Sequence, residues 1–152
     1  YCKGKSGTLH ISARELGVVL TSTIVGGELS MAPGVALAQT MGGEGTQPGG
    51  ITAVFFGDGA ACEGIFHESV NIAVTWRLPV LYVCENNQWQ AFVARQETMP
   101  MAHVADWVAG HGLETRVVDG NDVEAVQSAA RELATAIRAD GRPRLLELTT
   151  YR

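Results

Sequence analysis

A chain of 152 residues, 46% hydrophobic and with 18 glycines, has the length and apolar content of one domain that can bury a real core. Its net charge of −5 comes with no basic cluster, which argues against nucleic-acid binding, and no apolar run approaches a membrane span. No signal peptide opens the sequence, which starts without Met and reads as an internal piece of a longer protein. Cys2, Cys62 and Cys84 lack metal or redox spacing and are expected as reduced thiols in a cytoplasmic protein.

Tyr1 to Gly7 reads as a polar lead-in loop, and Ile11 to Leu20 is of mixed character. Met31 to Met41 is predicted as a small-residue helix in which Ala32, Val35, Ala36 and Ala38 allow close packing and Pro33 falls in the first turn. Glu44 to Gly50, rich in Gly and Pro, is an exposed turn. Ile51 to Phe56, bounded by Gly on both sides, is predicted as a strand buried on both faces. A helix follows from about Glu63 to Trp76, with Phe66, Val70, Ala73 and Val74 at helical spacing. Within it His67 reads as a surface or interface residue, and Glu63 as a cap or a site contact.

The apolar run Pro79 to Cys84 contains the next buried strand, Val80 to Val83. Asn86 to Pro100 is a long loop, and such loops are usually functional. Ala102 to Gly110 is a short helix ended by Gly, and Thr115 to Val118 a third strand. Asp122 is placed to cap a helix from Val123 to Ala139, whose Val126, Ala130, Leu133 and Ile137 share one face. Arg142-Pro143 turns into a last strand, Leu145 to Thr149. Strands alternating with helices predict an α/β fold with a doubly wound parallel sheet, residues 1–152 forming one domain.

The chemistry concentrates at Gly57-Asp58-Gly59-Ala60, where a buried strand runs into a helix, and at Asn86-Asn87, after the next strand. Two parallel strands joined by one crossover helix lie side by side, so Asp58 and Asn87 converge on the carboxyl edge of the sheet. Gly57 and Gly59 permit a sharp turn and close approach of a ligand, and the helix start offers free N–H groups to a phosphate. A carboxylate beside a diphosphate is repelled unless a divalent cation lies between them. Mg²⁺ accepts carboxylate and amide oxygens together with phosphates, so Asp58 and the Asn87 carbonyl oxygen form the protein half of such a site.

Gly57-Asp58-Gly59, then the 26 residues Ala60 to Glu85, then Asn86-Asn87, resembles the thiamine diphosphate signature. With Gly4-Lys5-Ser6-Gly7-Thr8-Leu9-His10, Ile24-Val25-Gly26-Gly27 and Trp76-Arg77-Leu78-Pro79, the chain is similar to the α subunit of the first component of 2-oxo acid dehydrogenase complexes, acetoin-cleaving relatives included. Glu147-Leu148-Thr149-Thr150-Tyr151-Arg152 resembles the segment before that family's active-site loop. The resemblance implies a thiamine diphosphate-binding fold. It also implies decarboxylation of a 2-oxo acid, or cleavage of acetoin, with the acyl fragment passed to a lipoyl acyltransferase component.

Carried over residue by residue, it implies that His10 faces the reacting centre and that Val25 holds the aminopyrimidine through main-chain groups. Gly59 and Ala60 then cradle the diphosphate, and the Trp89 carbonyl joins Asp58 and Asn87 around Mg²⁺. Gln90-Ala91-Phe92 departs from the Gly-rich continuation of pyruvate-type members. An α₂β₂ assembly is implied as well, the β subunit supplying a glutamate to the aminopyrimidine across the cleft from Val25; Glu28 is the rival for that acid within this chain. Cys62 and Cys84 are expected not to act as nucleophiles.

Two other readings stay open. A dinucleotide-binding domain is suggested by Gly57-x-Gly59 and by Glu85 at the next strand end, but Cys62 fills the third glycine position and Asp58 sets an anion where pyrophosphate would lie. A non-catalytic subunit keeping the fold is the other, against which the intact Asp58/Asn87 pair argues.

Overall fold

The computed structural model describes residues 9–42 and 48–152. Cys2, the Tyr1 to Gly7 lead-in and the first part of the 44–50 turn lie outside the described residues. The first long helix, α1, spans Gly27–Met41 and starts four residues earlier than predicted. Gly26 adopts a left-handed φ of 72° at its N-cap, so the chain turns into the helix at the glycine pair and not at Met31. Pro33 therefore sits inside the helix and not in its first turn.

Strand β1 (Thr52–Gly57) leads into a one-turn helix α2 (Asp58–Ala61), then α3 (Gly64–Trp76) and β2 (Val80–Asn86). Arg77 ends α3 in the left-handed conformation at φ 53°. The predicted long loop is partly ordered as a hairpin, β3 (Trp89–Gln90) with β4 (Val93–Ala94), and a 3₁₀ turn, Arg95–Glu97. Helix α4 (Val104–Val108) is shorter than Ala102 to Gly110, because its end tightens into a 3₁₀ turn, Ala109–His111, before left-handed Gly112. Strand β5 (Glu114–Asp119), helix α5 (Val123–Asp140) and strand β6 (Arg144–Thr149) complete the described chain. The Asp122 carboxylate caps α5 as predicted, accepting from Glu124 N and Ala125 N at 3.0 and 3.1 Å.

The four longer strands form one parallel sheet in the order β1-β2-β6-β5. Helices α1, α3 and α4 cover one face, where Leu29, Phe66, Val70, Tyr82, Val104 and Leu145 pack. Helix α5 covers the other, with Leu133 and Ile137 against Leu81, Val83 and Leu146. The doubly wound arrangement predicted from alternation is thus present. Strand β2 is buried on both faces, its alternate residues facing opposite helix layers. Strand β1 is not: Ala53, Phe55 and Gly57 are exposed, and Phe55 keeps 62% of its surface. As an edge strand it has no helix over its outer face among the described residues, which the run of apolar letters could not show.

Candidate functional site

The parallel register aligns Gly57 with Glu85 and so sets the two predicted motifs beside each other at the carboxyl edge. Asp58 opens α2 and is 1% exposed. Burial pushes its carboxyl pKa upward, opposed by bonding to its own N–H, by the Arg95 guanidinium and by the Asn87 N–H. Its Oδ2 is buried and has no hydrogen-bond partner. Among the described residues no three acidic, thiol or imidazole side chains converge to hold a metal by themselves.

A single buried carboxylate with one oxygen unpartnered matches a cation that draws its other ligands from amides, backbone and a bound phosphate. The Asn87 Oδ1 accepts the Trp89 N–H at 2.9 Å, an Asx turn that leaves a second lone pair for a cation. Trp89 begins the β3–β4 hairpin, and Gln88 before it holds a left-handed φ of 66°.

The glycines act differently from expectation. Gly57 has an ordinary extended backbone, and a Cβ there would meet nothing nearer than the Glu85 carbonyl at 4.0 Å. Gly59 sits in close approach: a Cβ would lie 3.3 Å from Gln90 Cγ, so Gln90 would have to shift by a few tenths of an ångström to admit one. Gln90 lies over this turn and its Nε2 donates to Cys62 Sγ at 3.1 Å. Cys62 and Cys84 are free thiols, the second buried and with its pKa pushed well up by desolvation and by the nearby Glu147, Asp58 and Glu85.

A second group of predicted residues gathers on the other side of α2. A cavity of about 760 Å³ is lined by Val25, Gly26 and Glu28 together with Gly57 and Ala60. Val25 is 66% exposed, and His10 reaches the same segment through a 3.1 Å contact between its Nε2 and Thr23 Oγ1. Asp58, Asn87 and Trp89 do not line this cavity; the two groups meet at Gly57 to Ala60. Glu63 departs from the capping role: it is the N-cap of α3 but its side chain makes no cap bond, and its carboxylate packs 2.9 Å from where a Cβ on Gly26 would lie. It stands against the turn that holds Val25 and Gly26.

Sequence reasoning missed Arg95 and did not single out Glu147. Arg95 closes the hairpin loop, its N–H donating to the Gln88 carbonyl at 2.8 Å and its Nη1 to the Met101 carbonyl, while its charge reaches Asp58. Glu147 is fully buried and holds Asn86. The available signal was a lone carboxylate inside the apolar run Leu145 to Leu148.

The family model described as Dehydrogenase E1 component matches residues 1–152. The α subunit of the acetoin:2,6-dichlorophenolindophenol oxidoreductase of Bacillus subtilis is 38% identical over 99% of this chain and 44% of its own length. The α subunit of the pyruvate dehydrogenase E1 component of Rhizobium meliloti is 35% identical over 99% of this chain and 42% of its own. The mitochondrial α subunit of 2-oxoisovalerate dehydrogenase from Dictyostelium discoideum is 33% identical over 99% of this chain and 33% of its own. This chain thus spans less than half the length of these relatives. Among solved structures, a transketolase from Pichia stipitis superposes with a TM-score of 0.71 at 23% identity, over 86% of this chain and 20% of that one, so the fold is shared.

Proposed function

The chain belongs to the dehydrogenase E1 component family, and on that premise we propose that it is the cofactor-binding part of an α subunit that decarboxylates a 2-oxo acid or cleaves acetoin. The observation that carries this reading is the buried Asp58 Oδ2 with no partner, at the strand end that the parallel register sets beside Asn86-Asn87. Asp58, the Asn87 side-chain oxygen and the Trp89 carbonyl hold the metal, and the N–H groups of Gly59 and Ala60 receive the diphosphate. Val25 would hold the aminopyrimidine through its backbone; it lines the same cavity as Ala60. Thiamine diphosphate supplies the electron sink for breaking the bond beside a carbonyl carbon.

The residues of this chain bind and orient. Desolvation at Asp58 favours its pairing with a cation, and Gly59 lets the hairpin close over the turn. His10 lies on the Val25 side, tied to Thr23, where it can hydrogen-bond a substrate or cofactor oxygen. The acyl acceptor is a lipoyl group of an acyltransferase component, the partner is a β subunit in an α₂β₂ assembly, and the location is the cytoplasm. The dinucleotide alternative is set aside with the family assignment.

Asp58→Ala in the full-length subunit with its partner tests the reading. Calorimetry with thiamine diphosphate and Mg²⁺ is expected to show no metal-dependent binding, and binding as tight as in the unsubstituted enzyme would overturn the assignment.

A further inference from the structure

The structure assigns Glu147 as the positioning residue of the metal-binding loop, an inference that rests on the metal reading above. Its carboxylate is fully buried in β6, between Leu146 and Leu148, where a charge is costly unless both oxygens are bonded. They are. Oε1 accepts from Asn86 Nδ2 at 2.6 Å and lies 3.4 Å from His103 Nδ1, and Oε2 accepts the Ala105 N–H in the first turn of α4 at 2.9 Å.

Asn86 is itself 1% exposed, and each of its other polar groups faces the loop or the strand beside it. Its Oδ1 accepts the Gln88 N–H at 3.1 Å, and its carbonyl accepts the Thr150 N–H at 2.9 Å. The first of these bonds fixes the turn that carries Gln88 into the left-handed region and places Asn87 and Trp89. Glu147 therefore fixes the Asn86 amide, the amide fixes the turn, and the turn aims the two oxygens proposed to bind the cation. A group that only filled the core would need no such chain of bonds leading to the site.

The geometry sets a test by exchange. In Glu147→Gln the new amide oxygen can accept from Ala105 N, but its NH₂ then faces the Asn86 NH₂, donor against donor. Adding Asn86→Asp turns that contact back into a donor–acceptor pair, keeps an acceptor for Gln88 N and leaves the net charge unchanged. Mg²⁺ titrations by calorimetry would be run on the full-length α subunit with its partner at saturating thiamine diphosphate, well below the melting temperature.

Glu147→Gln is expected to weaken Mg²⁺ about 10- to 100-fold, the range for groups that hold metal ligands in place. The double variant is expected to recover affinity close to that of the parent. A Glu147→Gln enzyme that binds Mg²⁺ as the parent does, while Asp58→Ala does not, overturns the assignment to Glu147 and leaves the metal site standing. Should Asp58→Ala also bind normally, the metal reading falls and this inference with it. If Glu147→Gln does not fold, the double variant decides: restored folding and affinity support the role, and failure to restore them overturns it.

Discussion

Asp58 and Cys62 occupy the same short turn and have opposite prospects. Asp58 is buried with an unpartnered oxygen, a state that costs free energy as long as no partner satisfies it. Cys62 is exposed, and among the described residues its Sγ makes polar contacts with the Asp58 carbonyl, Thr98 Oγ1 and the Gln90 amide, at 3.8, 3.9 and 3.1 Å. None of these is a base able to draw off the thiol proton. Cys62→Ala in the complete enzyme is expected to keep full turnover, with at most a few-fold weaker cofactor binding because Gln90 loses its acceptor over Gly59. A loss of several orders of magnitude in the steady-state rate would mean that the thiol has a chemical role. Asp58 stood out in the sequence because a carboxylate between two glycines at a strand end is a conflict of charge for any phosphate bound there. Glu63 did not, since its carboxylate meets Gly26 only through the packing of α3 on the Val25 turn.

Side-chain ion pairs add to the ladders that hold the strands in register, and the end of α5 shows how. Arg144, at the start of β6, is 6% exposed and donates to both carboxylate oxygens of Asp140, at 2.8 and 2.9 Å, and to Glu114 Oε2 at 2.8 Å. The Arg144 guanidinium and then the Arg142 N–H hold the Asp140 carboxyl well below its ordinary value. A carboxylate with a depressed folded pKa adds stability that is complete above its unfolded value of 3.8 and is lost as pH falls through the folded one. Asp140→Asn is therefore expected to lower unfolding stability by about 1 kcal/mol at neutral pH, a modest figure because Asp140 is partly exposed to screening solvent. Urea melts should show that difference constant down to about pH 4 and shrinking below it. A difference that grows in acid would reverse the sign of the linkage.

At the scale of the whole molecule the outer face of β1 is an exposed apolar surface. Phe55 and Ile24 are 62% and 66% exposed beside a cavity that already holds Val25, an apolar surface of the kind a partner buries. The proposed β subunit would cover it and bring the acid that faces the aminopyrimidine. Glu28 lines the cavity on the same helix that begins at the Val25 turn, and Glu63 packs against that turn, so both carboxylates stand on the wall of Val25. Full-length α subunit alone, saturated with thiamine diphosphate and Mg²⁺ and assayed with an artificial electron acceptor, is expected to show no turnover. Turnover without a partner that disappears on Glu28→Gln or Glu63→Gln would place the acid in this chain.

Local chemistry determined the parts of this protein that the sequence could state unaided. Strand-to-helix alternation gave the parallel sheet, Asp122 announced the start of α5, and the Asp58 and Asn87 side chains carried their own logic of charge and ligand type. Those signals sit within a few residues of one another or follow from right-handed crossovers, so no knowledge of distant contacts was needed. The tertiary structure alone decided that β1 is an edge, that the long loop folds as a hairpin over Gly59, and that Glu147 reaches Asn86 across 61 positions of sequence. Each depends on which strand lies beside which: the order β1-β2-β6-β5 inserts the last strand next to β2, and that insertion is what brings a buried carboxylate under the turn from Asn86 to Trp89.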